Sequence, residues 1–238
     1  MTVYPKMRIS GFTETLIHRK VSVVLSYSQK HADNMKERIQ EKAAELFLRF
    51  GIRSVTMDEI ASQLGISKKT IYQSFADKDE LVTAVFEEML NNSKNDCIVD
   101  RSKSDNAVHE LFLAMDLMED LFKTMNPYVL YDLERYHPAV FAKFLEFKNG
   151  FLLQAVKDNL EWGIKEELYR PEINVDTISR YRIGTAMISM NVDVFPNNKF
   201  NVLQVEQHLL LLYAYGIASP KGIKLIQKYN QQREQKKA

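Results

Sequence analysis

A twenty-residue stretch, 56–75, constrains this chain more than any other part of it. Thr56 is an N-cap candidate, and Glu59 three residues on completes a capping box. Ile60, Ala61 and Leu64 then share one helical face. Gly65 stands where that helix must stop and swing, since glycine enters the left-handed region without steric cost. Ile66 is placed to pack back under the turn, and Ser67 to cap a second helix whose Ile71 and Phe75 face inward. Ala61 is small where the second helix must cross the first. Lys68, Lys69, Thr70, Tyr72 and Gln73 remain outside. The pattern is a helix-turn-helix, and its outer face of cations and donors suits phosphates and base edges in a major groove.

The flanks extend this into a three-helix unit. Ile39, Ala43, Leu46, Phe47 and Phe50 recur at spacings of three and four, and Gly51 ends their helix. After residue 76, Asp77 and Glu80 form another capping box ahead of Leu81, Val85, Phe86, Met89 and Leu90. Lys78 in that first turn is poorly placed for the helix dipole and well placed for a phosphate. Residues 35–80 hold eight basic and eight acidic side chains. A positive surface here must come from placement, not from total charge.

These residues carry a resemblance. The order Gly51, Thr56-Met-Asp-Glu-Ile-Ala, Leu64-Gly-Ile-Ser67, Thr70-Ile-Tyr72, Phe75 and Lys78-Asp-Glu-Leu81 resembles the N-terminal domain of the TetR/AcrR family of transcriptional regulators, over residues 35–90 without a gap. The resemblance implies an all-α homodimer. Its three N-terminal helices would bind DNA, and a larger helical C-terminal domain would bind ligand and dimerise. It also implies phosphate contacts from Thr56, Tyr72 and Lys78, with Ser67, Lys68, Lys69, Thr70 and Gln73 facing the groove.

The rest of the chain divides around this head. Residues 1–34 lack a helical period and carry five Lys/Arg against two acids. They read as a disordered extension without a folded role, with Met35 the natural start; a basic arm on the DNA backbone is the other reading. The head is expected over 35–95, a polar linker over 91–106, a helical regulatory and dimerisation domain over 105–220, and a short last helix with a charged tail over 221–238. In the body, Phe112, Met115, Met118, Phe122 and Met125 form a stripe, and Pro138 opens a long helix to about Trp162. Met and aromatic side chains adapt to flat or greasy molecules, so Phe112, Met115, Met118, Phe122, Tyr128, Tyr131 and Phe144 are candidates for a ligand pocket. The segments 175–194 and 201–218 read as two more helices, the second apolar on nearly every side and so buried all round. By the resemblance, these two pair with their copies in a homodimer.

Several classes are set aside. The single cysteine, Cys97, rules out an internal disulfide framework, favours a reducing compartment and reads as an inert thiol. No apolar run approaches the roughly 20 residues of a membrane span, so no membrane partner is expected and the protein reads as cytoplasmic. The histidines share no metal-ligand spacing, and Asp132 and Glu134 beside His137 read as surface charge, not a metal site. No catalytic constellation, metal or cofactor is expected. The chain reads as a transcriptional regulator on a palindromic double-stranded operator, a repressor released by an unknown small molecule. An architectural or cell-division factor with no inducer is the alternative.

Overall fold

The computed structural model describes residues 34–237, so the reading of 1–33 as an extension or basic arm falls outside the described residues. These residues form an all-α fold with one isolated bridge, between Tyr169 and Ala218. The head comprises α1 (Met35–Phe50), α2 (Met57–Leu64), α3 (Lys68–Ser74) and the start of α4 (Lys78–Lys103). The body adds α5 (Ala107–Thr124), α6 (Val129–Tyr136), α7 (Pro138–Phe147), α8 (Leu153–Lys165), α9 (Val175–Ser189), α10 (Val202–Ile217) and α11 (Pro220–Lys237).

Local chemistry sets the head's elements. The side chains of Asn34, Thr56, Ser67 and Asp77 accept from backbone N–H groups in the first turns of α1, α2, α3 and α4. The Glu80 carboxylate accepts from Ala76 N–H at 2.6 Å. Gly65 is left-handed at φ 65°, and Ile66 N–H closes the turn on Ala61 O at 3.0 Å. Ile39, Ala43, Phe47, Ile60, Ala61, Ile71, Phe75, Leu81 and Val85 are buried in one cluster. That cluster also takes Val129 and Leu133 of α6 and Val140 of α7. The head's core therefore closes only with side chains from the body.

Three features of the body differ from the sequence reading. The linker expected over 91–106 is helical to Lys103, so α4 runs from the head deep into the body. Its polar residues line solvent on one side while Cys97 and Ile98 border an internal cavity. The long helix after Pro138 is interrupted by a π-helical turn, Lys148–Leu152, between α7 and α8. The last helix spans 18 residues rather than forming a short helix and tail. Asn106 Nδ2 donates to Tyr229 Oη at 2.9 Å, the Tyr229 ring stacks on His109, and Arg233 pairs with Asp116 at 2.7 Å. These contacts tie α11 along α5.

A second apolar cluster gathers Val108, Phe112 and Met115 of α5, Leu160 of α8, Leu210, Tyr213 and Ile217 of α10, and Ile226 of α11. Tyr169 is buried at its centre, donating to Ala107 O at 3.1 Å beside Asn159 Oδ1 at 3.1 Å. Gly163 makes room for that ring: a Cβ there would stand 2.0 Å from Tyr169 Cδ2. Gly163→Ala is therefore expected to lower stability by about 3 kcal/mol, at the upper end of overpacking costs, read as a fall in the urea midpoint.

Candidate nucleic-acid interface and ligand cavity

The outer face of α3 carries Lys68, Lys69 and Gln73, all exposed, with Tyr72 at its edge. Lys69 makes no ion pair among the described residues. Lys68 is held: its ammonium lies 2.7 Å from Asp58 Oδ1 at the start of α2, and this partner raises its pKa. The Thr56 hydroxyl accepts from Glu59 N–H at 3.1 Å and keeps its own proton to donate outward. Ser67 Oγ accepts from Thr70 N–H at 3.1 Å, and the two hydroxyls lie 2.9 Å apart, so between them one proton is already engaged. Thr56, Ser67, Lys68, Lys69, Thr70, Tyr72 and Gln73 thus lie on α3 and at the two helix starts.

Lys78 sits differently from the outward, phosphate-facing position that its place in the first turn of α4 suggests. Its ammonium folds back and donates to Ile52 O at 2.6 Å and Val55 O at 2.5 Å, above the Phe47 ring. Half-burial lowers its pKa, opposed by Asp132 and Asp79. The physical reason is the loop after Gly51: Ile52 and Val55 are buried, so their carbonyls need a donor that the loop itself does not supply. Lys78 thereby fixes the segment that presents Thr56.

The body encloses a cavity of about 1180 Å³. Phe86 and Cys97 of α4, Leu117 and Leu121 of α5, Val129 and Leu133 of α6, Phe147 of α7, Trp162 of α8 and Met187 of α9 are among its walls. Of the seven pocket candidates, Met118, Phe122 and Phe144 line it. Phe112 and Met115 do not: they face the opposite way, onto Tyr229 and Arg233 of α11. Tyr128 and Tyr131 are exposed beyond its floor. One apolar stripe on α5 was legible, but the helix is apolar on two faces. Only the packing of α11 decides which face is core and which lines the cavity.

Polar groups border the cavity at two places. Arg101 stacks 3.8 Å from the Trp162 ring centroid and reaches Glu110 at 2.5 Å, and Asn159 donates to the same Glu110 carboxylate at 2.7 Å. Elsewhere Arg182 Nη2 donates to the buried Glu206 at 2.6 Å, while Arg182 Nη1 and Tyr213 Oη are buried and have no partner among the described residues. Burial pushes the Tyr213 phenol far up its range, so it stays protonated. Burial likewise raises the Cys97 thiol to about 11, which keeps it a weak nucleophile. No metal cluster forms among the described residues: Asp132 accepts from Arg53 N–H at 3.0 Å, and His137 Nδ1 lies 2.8 Å from Asp79. No described helix is long and apolar enough to cross a membrane.

Comparison with known proteins matches this geometry to a family. Residues 39–85 match the model of bacterial regulatory proteins of the tetR family. The transcriptional repressor KstR2 of Mycobacterium tuberculosis is 26% identical over 190 residues, covering 78% of this chain and 94% of that one. A transcriptional regulator from Cytophaga hutchinsonii superposes with a TM-score of 0.62 at 19% identity, over 79% of this chain and all of the other. A regulator from Saccharomonospora viridis in complex with choline gives 0.63 at 16% identity, over 77% and 97%. The chain belongs to the tetR family of transcriptional regulators, and its helix-turn-helix is the DNA-binding element.

Lys78→Ala is expected to cost about 1–3 kcal/mol of stability by stranding two carbonyls, and to weaken binding to all DNA sequences alike. Because the ammonium serves the loop, the salt slope should stay as in the wild type. A slope smaller by about 1 in a salt titration would return Lys78 to a phosphate.

Proposed function

We propose that this chain is a homodimeric repressor that leaves a palindromic operator when a small molecule fills the body cavity. The observation that carries the switch is shared use of α6. Val129, Leu130 and Leu133 line the cavity, and Asp132 on the same helix grips the head's loop through Arg53 N–H. A ligand that displaces α6 therefore displaces the head. The choline held by the Saccharomonospora relative supports a small-molecule role for such bodies. It also favours this reading over an architectural factor with no inducer. We take residues 35–95 as the head and 105–220 as the body, with α4 a beam common to both and α11 part of the body. The protein would act in the cytoplasm.

On DNA, α3 would enter the major groove with Lys69 and Gln73 on base edges. Ser67 and Thr70 would border the groove, and Thr56 and Tyr72 would fix register on phosphates. Lys68 would reach DNA only by leaving Asp58.

The dimer reading rests on α9 and α10. The second was expected to be buried all round, yet within one subunit Leu212 is 64% exposed, and Tyr181, Ile188 and Tyr215 lie open beside it. Gly184 and Gly216 stand mid-helix on the same outer faces, where a Cβ would meet nothing within 4 Å. A mid-helix glycine costs about 1 kcal/mol against alanine, so close approach of another backbone gives it a reason. Two copies joined here would set the two α3 helices at a fixed spacing of one helical turn or a multiple of it.

Selection of bound DNA from random sequence by the purified protein tests the operator reading; recovery of sites without two-fold symmetry would overturn it. On the selected operator, Lys69→Ala is expected to lose about 1–3 kcal/mol and to relax base preference at one position. Leu212→Glu should sediment as a monomer and bind the operator with the shallow affinity of a single half-site; a dimeric Leu212→Glu would move the interface elsewhere.

A further inference from the structure

Resting on the ligand-responsive reading above, the structure assigns a chemical class to the ligand. We infer that the cavity takes a large, uncharged apolar molecule carrying a carbonyl or hydroxyl oxygen, which Arg182 and Tyr213 hold.

Size and lining give the apolar body. At about 1180 Å³ the cavity exceeds the roughly 300–1,000 Å³ of ordinary ligand pockets, and leucine, methionine and phenylalanine dominate its walls. The head group follows from unmet donors. Buried polar atoms nearly always have a partner, so each exception needs a reason. Arg182 Nη1 and Tyr213 Oη are two such exceptions, both belong to residues that line the cavity, and the Tyr213 side chain is 3% exposed. The Arg182 guanidinium lies 5.9 Å from the Tyr213 ring centroid, close enough for one ligand oxygen to serve both. Neither donor has another partner to give up.

Charge decides between a neutral and an anionic head. Arg182 is already neutralised by Glu206, whose side chain is buried and whose Oε2 is also unpartnered. A ligand carboxylate would bring a second negative charge to a pair that balances without it, in a low-dielectric interior where an uncompensated charge is costly. A carbonyl or hydroxyl oxygen accepts both hydrogen bonds without that cost, and a hydroxyl has its own proton for Glu206.

The chain's single tryptophan, Trp162, lines the same cavity and reports occupancy directly. The test is energy transfer from Trp162 to the methyl ester of cis-parinaric acid, against the free acid at neutral pH, with full-length protein. The ester should give saturable transfer, and the ionised acid should bind at least tenfold more weakly. Tyr213→Phe should weaken the ester about tenfold, the worth of one hydrogen bond, with an unfolding midpoint at or above that of the wild type because its hydroxyl has no protein partner. An acid that binds as tightly as the ester, or a Tyr213→Phe variant that binds the ester unchanged, overturns the assigned head group and leaves the cavity as a ligand site. Absence of saturable transfer from either probe overturns both readings.

Discussion

The arrangement of the whole molecule depends on one buried carboxylate. Asp132, on α6, is 7% exposed and accepts the Arg53 backbone N–H at 3.0 Å. The loop that offers this N–H begins at Gly51, whose φ of 85° suits glycine and whose missing Cβ would stand 3.3 Å from the same carboxylate. Lys78 gathers the loop's carbonyls from the other side. Asn126 N–H adds a 2.6 Å bond to Leu48 O, and Arg53 reaches Tyr136 Oη at 3.2 Å. Without the Asp132 contact, the head's core would lose the register by which Val129 and Leu133 complete it.

This seat explains how a charge-neutral head can serve as a DNA reader. With equal acids and bases over 35–80, long-range attraction to DNA is weak. Lys68 is paired and Lys78 is turned inward, so few cations remain on the reading face. Recognition then leans on rigid placement of a few groups and on doubling them in the proposed dimer. Placement is what the capped helix starts and the stapled loop supply.

How much was legible in the sequence follows from how local each cause is. The helix-turn-helix could be read residue by residue, because caps, a left-handed glycine and a 3.6-residue period act within a few positions. The continuation of α4 to Lys103 was hidden by a polar run, since a helix supported by neighbours on one side needs no apolar period of its own. The role of Lys78 and the facing of Phe112 and Met115 were hidden for another reason. Both are settled by groups far away in sequence, the 52–55 carbonyls and α11. Arg182 and Tyr213 went unread because a single Arg or Tyr carries no spacing signal; what marks them is a missing partner, which only packing reveals.

The same geometry limits what a ligand must do to act as a switch. Tight binding alone shifts nothing if the DNA-bound and released conformations hold the ligand equally well. Moving the equilibrium from 1:99 to 99:1 takes about 5.5 kcal/mol of differential affinity. An apolar molecule in the cavity touches α6 through Val129, Leu130 and Leu133, so displacement of that helix changes the apolar area it buries. An oxygen held by Arg182 and Tyr213 anchors the molecule on α9 and α10, the helices of the proposed interface. With one end fixed there, bulk at the other end is directed at α6 and at the seat of Asp132. Ligands that share the anchoring oxygen but differ in length should then bind alike at the anchor and differ in how far they release DNA.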